Sequence, residues 1–252
     1  MIDIHCHILP DIDDGADSLD EALDMARMAA MSGVTDIVAT PHFRGDLDYL
    51  GAMPHIKRQY ERLLEALDQW DIPIRLHLGA EVLCTPRTVE LASQRQLPTI
   101  GDTRYVLTEF HFDESFEFMD SALRQIASWG YDPIVAHPER YDAVYRNPQK
   151  LKDWANRGYV MQLNKGSVLG ALGARAERCA HELLELGLVH LFASDAHSRY
   201  QRTPHLESLH NWIENCCDPI CARIFLESNP RRVLEGRPMA TSEDISKEFF
   251  AL

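Results

Sequence analysis

No stretch of this 252-residue chain approaches the roughly 20 consecutive apolar residues that a helix needs to cross a bilayer. The opening MIDIHCHILP also lacks the basic flank and long apolar core of a secretory signal. Positive charge is scarce: 25 Lys and Arg stand against 39 Asp and Glu, a formal net charge of −14. Binding to DNA or RNA draws on cations that release condensed counterions, so a nucleic-acid substrate is disfavoured. A phosphate monoester is disfavoured too, unless metals or arginines make its site locally positive. The six cysteines, at 6, 84, 179, 216, 217 and 221, show neither a repeated CxxC spacing nor a dense disulfide framework. Reduced thiols, and with them a cytoplasmic location without membrane insertion, are the expectation. Internal repeats, low-complexity tracts and Pro/Gly-rich linkers are missing as well, which predicts one domain over 1–252.

Short apolar runs alternate with amphipathic stretches, the pattern of βαβ units around a parallel sheet. Strands are expected at Ile2–His5, Asp36–Thr40, Ile74–Glu81, Tyr105–Glu109, Pro133–Ala136, Tyr159–Leu163 and Val189–Ser194. Seven strands are one short of the usual eight-stranded (β/α) barrel. Ser18 followed by Glu21 reads as a capping box for a helix that Gly33 would stop. Further helices are expected over His55–Asp71, Pro86–Gln94, Glu117–Ser128, Pro148–Arg157, Arg175–Leu186 and Pro204–Cys216, and the last dozen residues read as a docked helix or a tail.

Metal-ligand side chains fall at or just past the strand ends: His5 and His7, His42, Glu81, Glu109, His137, and Asp195 with His197. In a parallel barrel those ends meet on one face, so residues far apart in sequence converge there. His5 and His7, two apart on a strand, point to the same side, and DAH at 195–197 repeats the spacing with a carboxylate. Each of these histidines taken singly reads more readily as a capped or surface residue; the set of five among twelve does not. Mixed imidazole and carboxylate donors suit Zn, Mn or Fe better than Ca. Cys6, between the two histidines, is expected in the core. His77 and His111 are left outside the set.

The segments IDIHCHILPDIDDG, ATPHF, GAE, EF, AHPERY and ASDAH, in this order, resemble the PHP metallophosphatases. Within that group DIDDG, HPERYD and SDAHSRYQRTPH are similar to the bacterial protein-tyrosine phosphatases of capsular and exopolysaccharide operons, over residues 1 to about 235. The resemblance implies a distorted (β/α)7 TIM-like barrel, the PHP fold, and hydrolysis of phosphotyrosine on a bacterial tyrosine autokinase that controls polysaccharide export. It also implies three divalent ions, Mn²⁺ foremost with Fe, Zn or Mg as alternatives. His5, His7, Glu81 and Asp195 would hold the first, Asp14, His42 and His197 the second, and Glu109 and His137 the third, bridged by Glu81. Only the DDG match selects Asp14, since Asp11, Asp13, Asp14 and Asp17 otherwise read as a solvated acidic loop. Four carboxylates against three dications leave a surplus of two positive charges, which suits a phosphate dianion. Such a cluster can also bring bound water towards a neutral pKa. Arg140 and Arg202, just past two of the histidines, are the positions the resemblance assigns to clamping phosphate, whose oxygens a guanidinium can take in pairs.

Other readings compete. Cys217 to Arg223 has the C-x5-R spacing of cysteine-dependent phosphatases, but lacks the glycines that let a backbone cradle phosphate. Histidinol-phosphate phosphatase or another small-molecule phosphomonoesterase would use the same PHP scaffold; amidohydrolases favour a carboxylated lysine. A catalytically silent phosphotyrosine-binding protein is the alternative outside enzymes, although every expected ligand position is filled.

Overall fold

The computed structural model describes residues 1–45 and 47–240, so the C-terminal segment left open above lies outside the described residues. Among the described residues there are nine short strands: β1 (Ile2–Cys6), β2 (Asp36–Ala39), β3 (His42–Phe43), β4 (Arg75–Leu78), β5 (Glu81–Leu83), β6 (Tyr105–Glu109), β7 (Asp132–Ala136), β8 (Val160–Asn164) and β9 (Leu191–Ala193). All pair in parallel, in a three-stranded sheet ordered β1-β2-β4 and a six-stranded sheet ordered β3-β5-β6-β7-β8-β9. The end of β1 meets the chain leaving β9 through a bridge between Cys6 and Ala196, where His7 N–H donates to Ala196 O at 2.8 Å. The result is a mixed α/β fold of parallel strands with helical connections.

Nine strands replace the seven expected because one of the seven breaks in two and a further short strand follows the second. The second ends at Ala39, and β3 starts beyond Thr40–Pro41, where proline has no N–H for the ladder. The third, Ile74–Glu81, breaks at Gly79, where a Cβ would stand 3.0 Å from Val38 Cγ1. Only glycine permits that approach of backbone to its neighbour. The breaks have a use: beyond them His42 pairs in register with Glu81, and Leu83 with Glu109, which brings three donor residues to adjacent strand starts and ends.

Successive residues of a strand alternate between faces. On one face of β6, β8 and β9 the side chains run from apolar to polar along the strand: Tyr105, Leu107, Glu109; Val160, Gln162, Asn164; Leu191, Ala193, then Asp195. The apolar members join Ile2, Ile4, Val38 and Ile134 in one buried cluster, above which the polar ends form the site. Helices pack the other face, with Cys6 buried among them. Ser18 Oγ accepts from Glu21 N–H, but Glu21 returns its carboxylate to Asp17 N–H at 3.2 Å, so the reciprocal cap sits one residue earlier than a capping box requires. The second long helix spans Leu47–Gln69, two turns earlier than the apolar spacing from His55 suggests, with Pro54 inside it. Tyr141 ties the strand ends together: its hydroxyl donates to Ala136 O at 2.9 Å and accepts from Phe110 N–H at 3.1 Å.

Candidate metal centre

Glu81 is the hub. It is 1% exposed, and its two oxygens face four imidazoles: His5 Nε2 at 3.3 Å, His7 Nε2 at 3.3 Å, His42 Nδ1 at 3.1 Å and His137 Nε2 at 3.0 Å. Asp195 lies 3.4 Å from His5 Nε2 and 3.6 Å from His197 Nδ1. Glu109 lies 3.7 Å from both His42 and His137. Asp14, on the exposed DDG loop, faces His42 at 3.3 Å and His197 at 3.4 Å. The nine residues singled out as donors therefore stand in one connected constellation. Seven of them, all but His137 and Asp195, form overlapping groups suited to a cation: His7, Asp14, His42 and His197; His5, His7 and Glu81; His42, Glu81 and Glu109. The third group contains His42 where the resemblance suggests His137.

Several of these side chains are delivered by unusual backbone. His137 (φ 36°), Asp195 (φ 50°) and Arg202 (φ 51°) are left-handed although none is glycine, a conformation that concentrates at functional sites. Gly15 is required for another reason: a Cβ there would lie 2.0 Å from His7 O, so the acidic loop can fold onto β1 only without one.

The electrostatics favour cations. Burial opposes charge on His5, yet Glu81 and Asp195 overcome it and raise its pKa to about 9. His7 is raised to about 10 against the same burial, by Asp13 and Glu81. Burial and the neighbouring Glu81 raise Glu109, while the surrounding histidines hold Glu81 well below the usual carboxylate range despite its burial. A field that holds imidazolium so strongly also attracts dications. His5 Nε2 and His7 Nε2 lie 3.3 Å apart, both turned to the same carboxylates, so charge on His7 works against charge on His5. His137 Nδ1 is buried without a hydrogen-bond partner. The mixture of N and O donors thus fits divalent transition ions.

Three supporting residues escaped the sequence reading. Asp13 accepts from His7 Nδ1 at 2.9 Å and from His42 N–H at 3.1 Å. Gln162 Oε1 accepts from His5 Nδ1 at 2.9 Å, and the Asn164 amide donates to Asp195. Such partners fix the tautomer and aim of a ligand. The clue was the polar i, i+2 pair Gln162 and Asn164 on an otherwise apolar strand.

Arg140 Nη1 lies 3.5 Å from Asp195 Oδ2, and Arg202 pairs with the same oxygen. Both remain partly exposed at the rim, with side chains 22% and 32% accessible. Cys217 sits apart from this centre, exposed at the end of the helix Glu207–Cys216, and Asp218 caps the next helix through Ile220 N–H. Burial, Cys221 and Cys216 raise its thiol pKa, opposite to what a nucleophile needs. Cys217→Ser should keep near-normal phosphatase rates; loss of turnover with fold and metal intact would restore the thiolate mechanism.

The family described as "Capsular polysaccharide synthesis, CpsB/CapC" matches residues 1–235. Tyrosine-protein phosphatase YwqE of Bacillus subtilis (strain 168) is 34% identical over 207 residues, 82% of this chain and 81% of that protein. Tyrosine-protein phosphatase CpsB of Streptococcus pneumoniae is 29% identical over 239 residues, 93% of this chain and 98% of that one. A solved structure from work on YwqE and CpsB, described as unique metal-dependent tyrosine phosphatases, superposes with a TM-score of 0.86 at 31% identity, covering 95% of this chain and 96% of its own. With the match spanning nearly the whole chain, this protein belongs to the CpsB/CapC capsular polysaccharide synthesis family.

Proposed function

We propose that this protein is a metal-dependent protein-tyrosine phosphatase, a phosphoric monoester hydrolase acting on phosphotyrosine. The observation that carries the reading is one constellation of nine N and O donors with two arginines gathered on Asp195, in a chain whose relatives are named tyrosine-protein phosphatases. The finer reading takes residues 1–252 as a single distorted (β/α)7 barrel of the PHP type in the cytoplasm, acting on a bacterial tyrosine autokinase. The bridge between the β1 end and the segment after β9 supports that barrel.

His5, His7, Glu81 and Asp195 would hold one ion, Asp14, His42 and His197 a second, and Glu109 and His137 a third shared with Glu81. Mn²⁺ is the first candidate, ahead of Fe, Zn or Mg. When bound, such ions supply charge neutralisation and water activation. The chain's own residues do the rest. Asp13, Gln162 and Asn164 hold the donors in place, and Arg140 and Arg202 grip the phosphoryl oxygens from the rim.

The deciding experiment compares initial rates on a phosphotyrosine peptide, a phosphoserine peptide and histidinol phosphate at matched Mn²⁺ loading. Phosphotyrosine should be hydrolysed fastest. Preference for histidinol phosphate would move the protein to the small-molecule branch, and binding of the phosphotyrosine peptide without turnover would make it a binding protein.

A further inference from the structure

We propose that the cleft beside His42 and Glu109 seats the aromatic ring of the substrate, with Phe112 as the residue that selects an aryl over an alkyl phosphate. The proposal rests on the phosphatase reading and deepens it. The cleft has a volume of about 410 Å³. Its lining joins two donor residues, His42 and Glu109, to the apolar side chains of Leu83, Phe110 and Phe112, with Arg44 and His111 also on the wall. A lining that combines donor and charged groups with three apolar side chains suits a phosphorylated ring, whose two halves have those characters.

Phe112 is the unusual member. It is 44% exposed, whereas Phe110 and Tyr141 nearby are buried. It is nevertheless held: the Arg140 guanidinium lies over its ring at 4.3 Å, and His137 meets it edge-on with centroids 6.1 Å apart. The ring is thus an anchored apolar surface that the fold itself leaves partly uncovered. Arg140 also reaches Asp195 at 3.5 Å, so one guanidinium touches both the donor cluster and Phe112. An ester group on a phosphoryl gripped by Arg140 therefore emerges beside the Phe112 ring, where offset or edge-on packing is favourable. A cavity of about 500 Å³ near Lys165, Leu172 and Arg202 is the other place for it, but none of the nine donor residues lines that cavity.

The test uses the Mn²⁺-loaded full chain with phenyl phosphate as substrate and inorganic phosphate as competitive inhibitor. Phe112→Ala should raise KM for phenyl phosphate about tenfold, the scale of one lost aromatic contact. The Ki of inorganic phosphate should stay within about twofold, since phosphate has no ring to lose. Phe112→Tyr should stay close to the parent on both measures. Parallel rises in KM and Ki would mean that Phe112 only props Arg140, and would overturn the proposal. So would an unchanged KM, or a KM rise confined to Leu172→Ala, which would put the ring in the other cavity. Failure of the parent protein to hydrolyse phenyl phosphate at all would sink the phosphatase reading, and the ring site with it, before any variant is compared.

Discussion

Removing divalent ions with a strong chelator should abolish hydrolysis of p-nitrophenyl phosphate, and Mn²⁺ or a similar transition ion should restore it. The magnitude follows from what the donors surround. Four imidazoles face the two oxygens of Glu81 within 3.3 Å, a crowding of N and O donors that suits a dication. Ion-assisted attack on phosphorus supplies several kcal/mol, so a loss on the order of 10³-fold or more is expected. His5→Ala, His42→Ala, Glu81→Ala and Asp195→Ala should each lose bound metal along with turnover. Full activity in a verified metal-free preparation would defeat the reading, and unchanged metal content in all four variants would overturn the ligand assignments.

Arg140→Ala and Arg202→Ala should each cost about 2 to 4 kcal/mol of transition-state stabilisation, by analogy with loss of one donor at other active sites. That corresponds to a fall in turnover of about 30-fold or more. Both guanidiniums gather on one carboxylate oxygen of Asp195 and stay partly exposed, so each can meet an incoming phosphoryl group without leaving the cluster. Lysine would keep the charge and lose the fork, so Arg→Lys should recover part of the rate. Metal content should not change. Wild-type kcat and KM on a phosphotyrosine peptide, with metal fully bound, would make both ordinary surface arginines and remove the phosphate-recognition half of the mechanism.

Much of this centre was legible because strand ends in a parallel sheet point one way: His5, Glu81, Glu109, His137 and Asp195 each follow an apolar run, and periodicity alone finds such runs. The extra strand beyond Pro41 and the break at Gly79 were not legible as a change of sheet, since an apolar stretch does not say which neighbour each part will pair with. Asp13 was hidden by its company. Four acidic residues in one loop look alike in sequence, and only the fold shows that Asp13 turns inward to His7 while Asp14 stays exposed. The pairing of Phe112 with Arg140 joins residues from two separate loops, which no local spacing encodes.

The donors of the constellation are drawn from positions 5 to 197, so its assembly requires both sheets to be in place. An ion bound there acts as a tether between segments that the backbone connects only through long excursions. Thermodynamic linkage then makes folding and loading one equilibrium: at a free ion concentration 100 times Kd, the native state gains about 2.7 kcal/mol over a chain that cannot bind. The apo protein must instead keep Glu81, Glu109 and Asp195 close together, balanced by the neighbouring imidazoles and by Arg140 and Arg202 at Asp195. Scarcity of the ion would therefore deplete the folded protein itself as well as its activity, making metal supply a control on abundance.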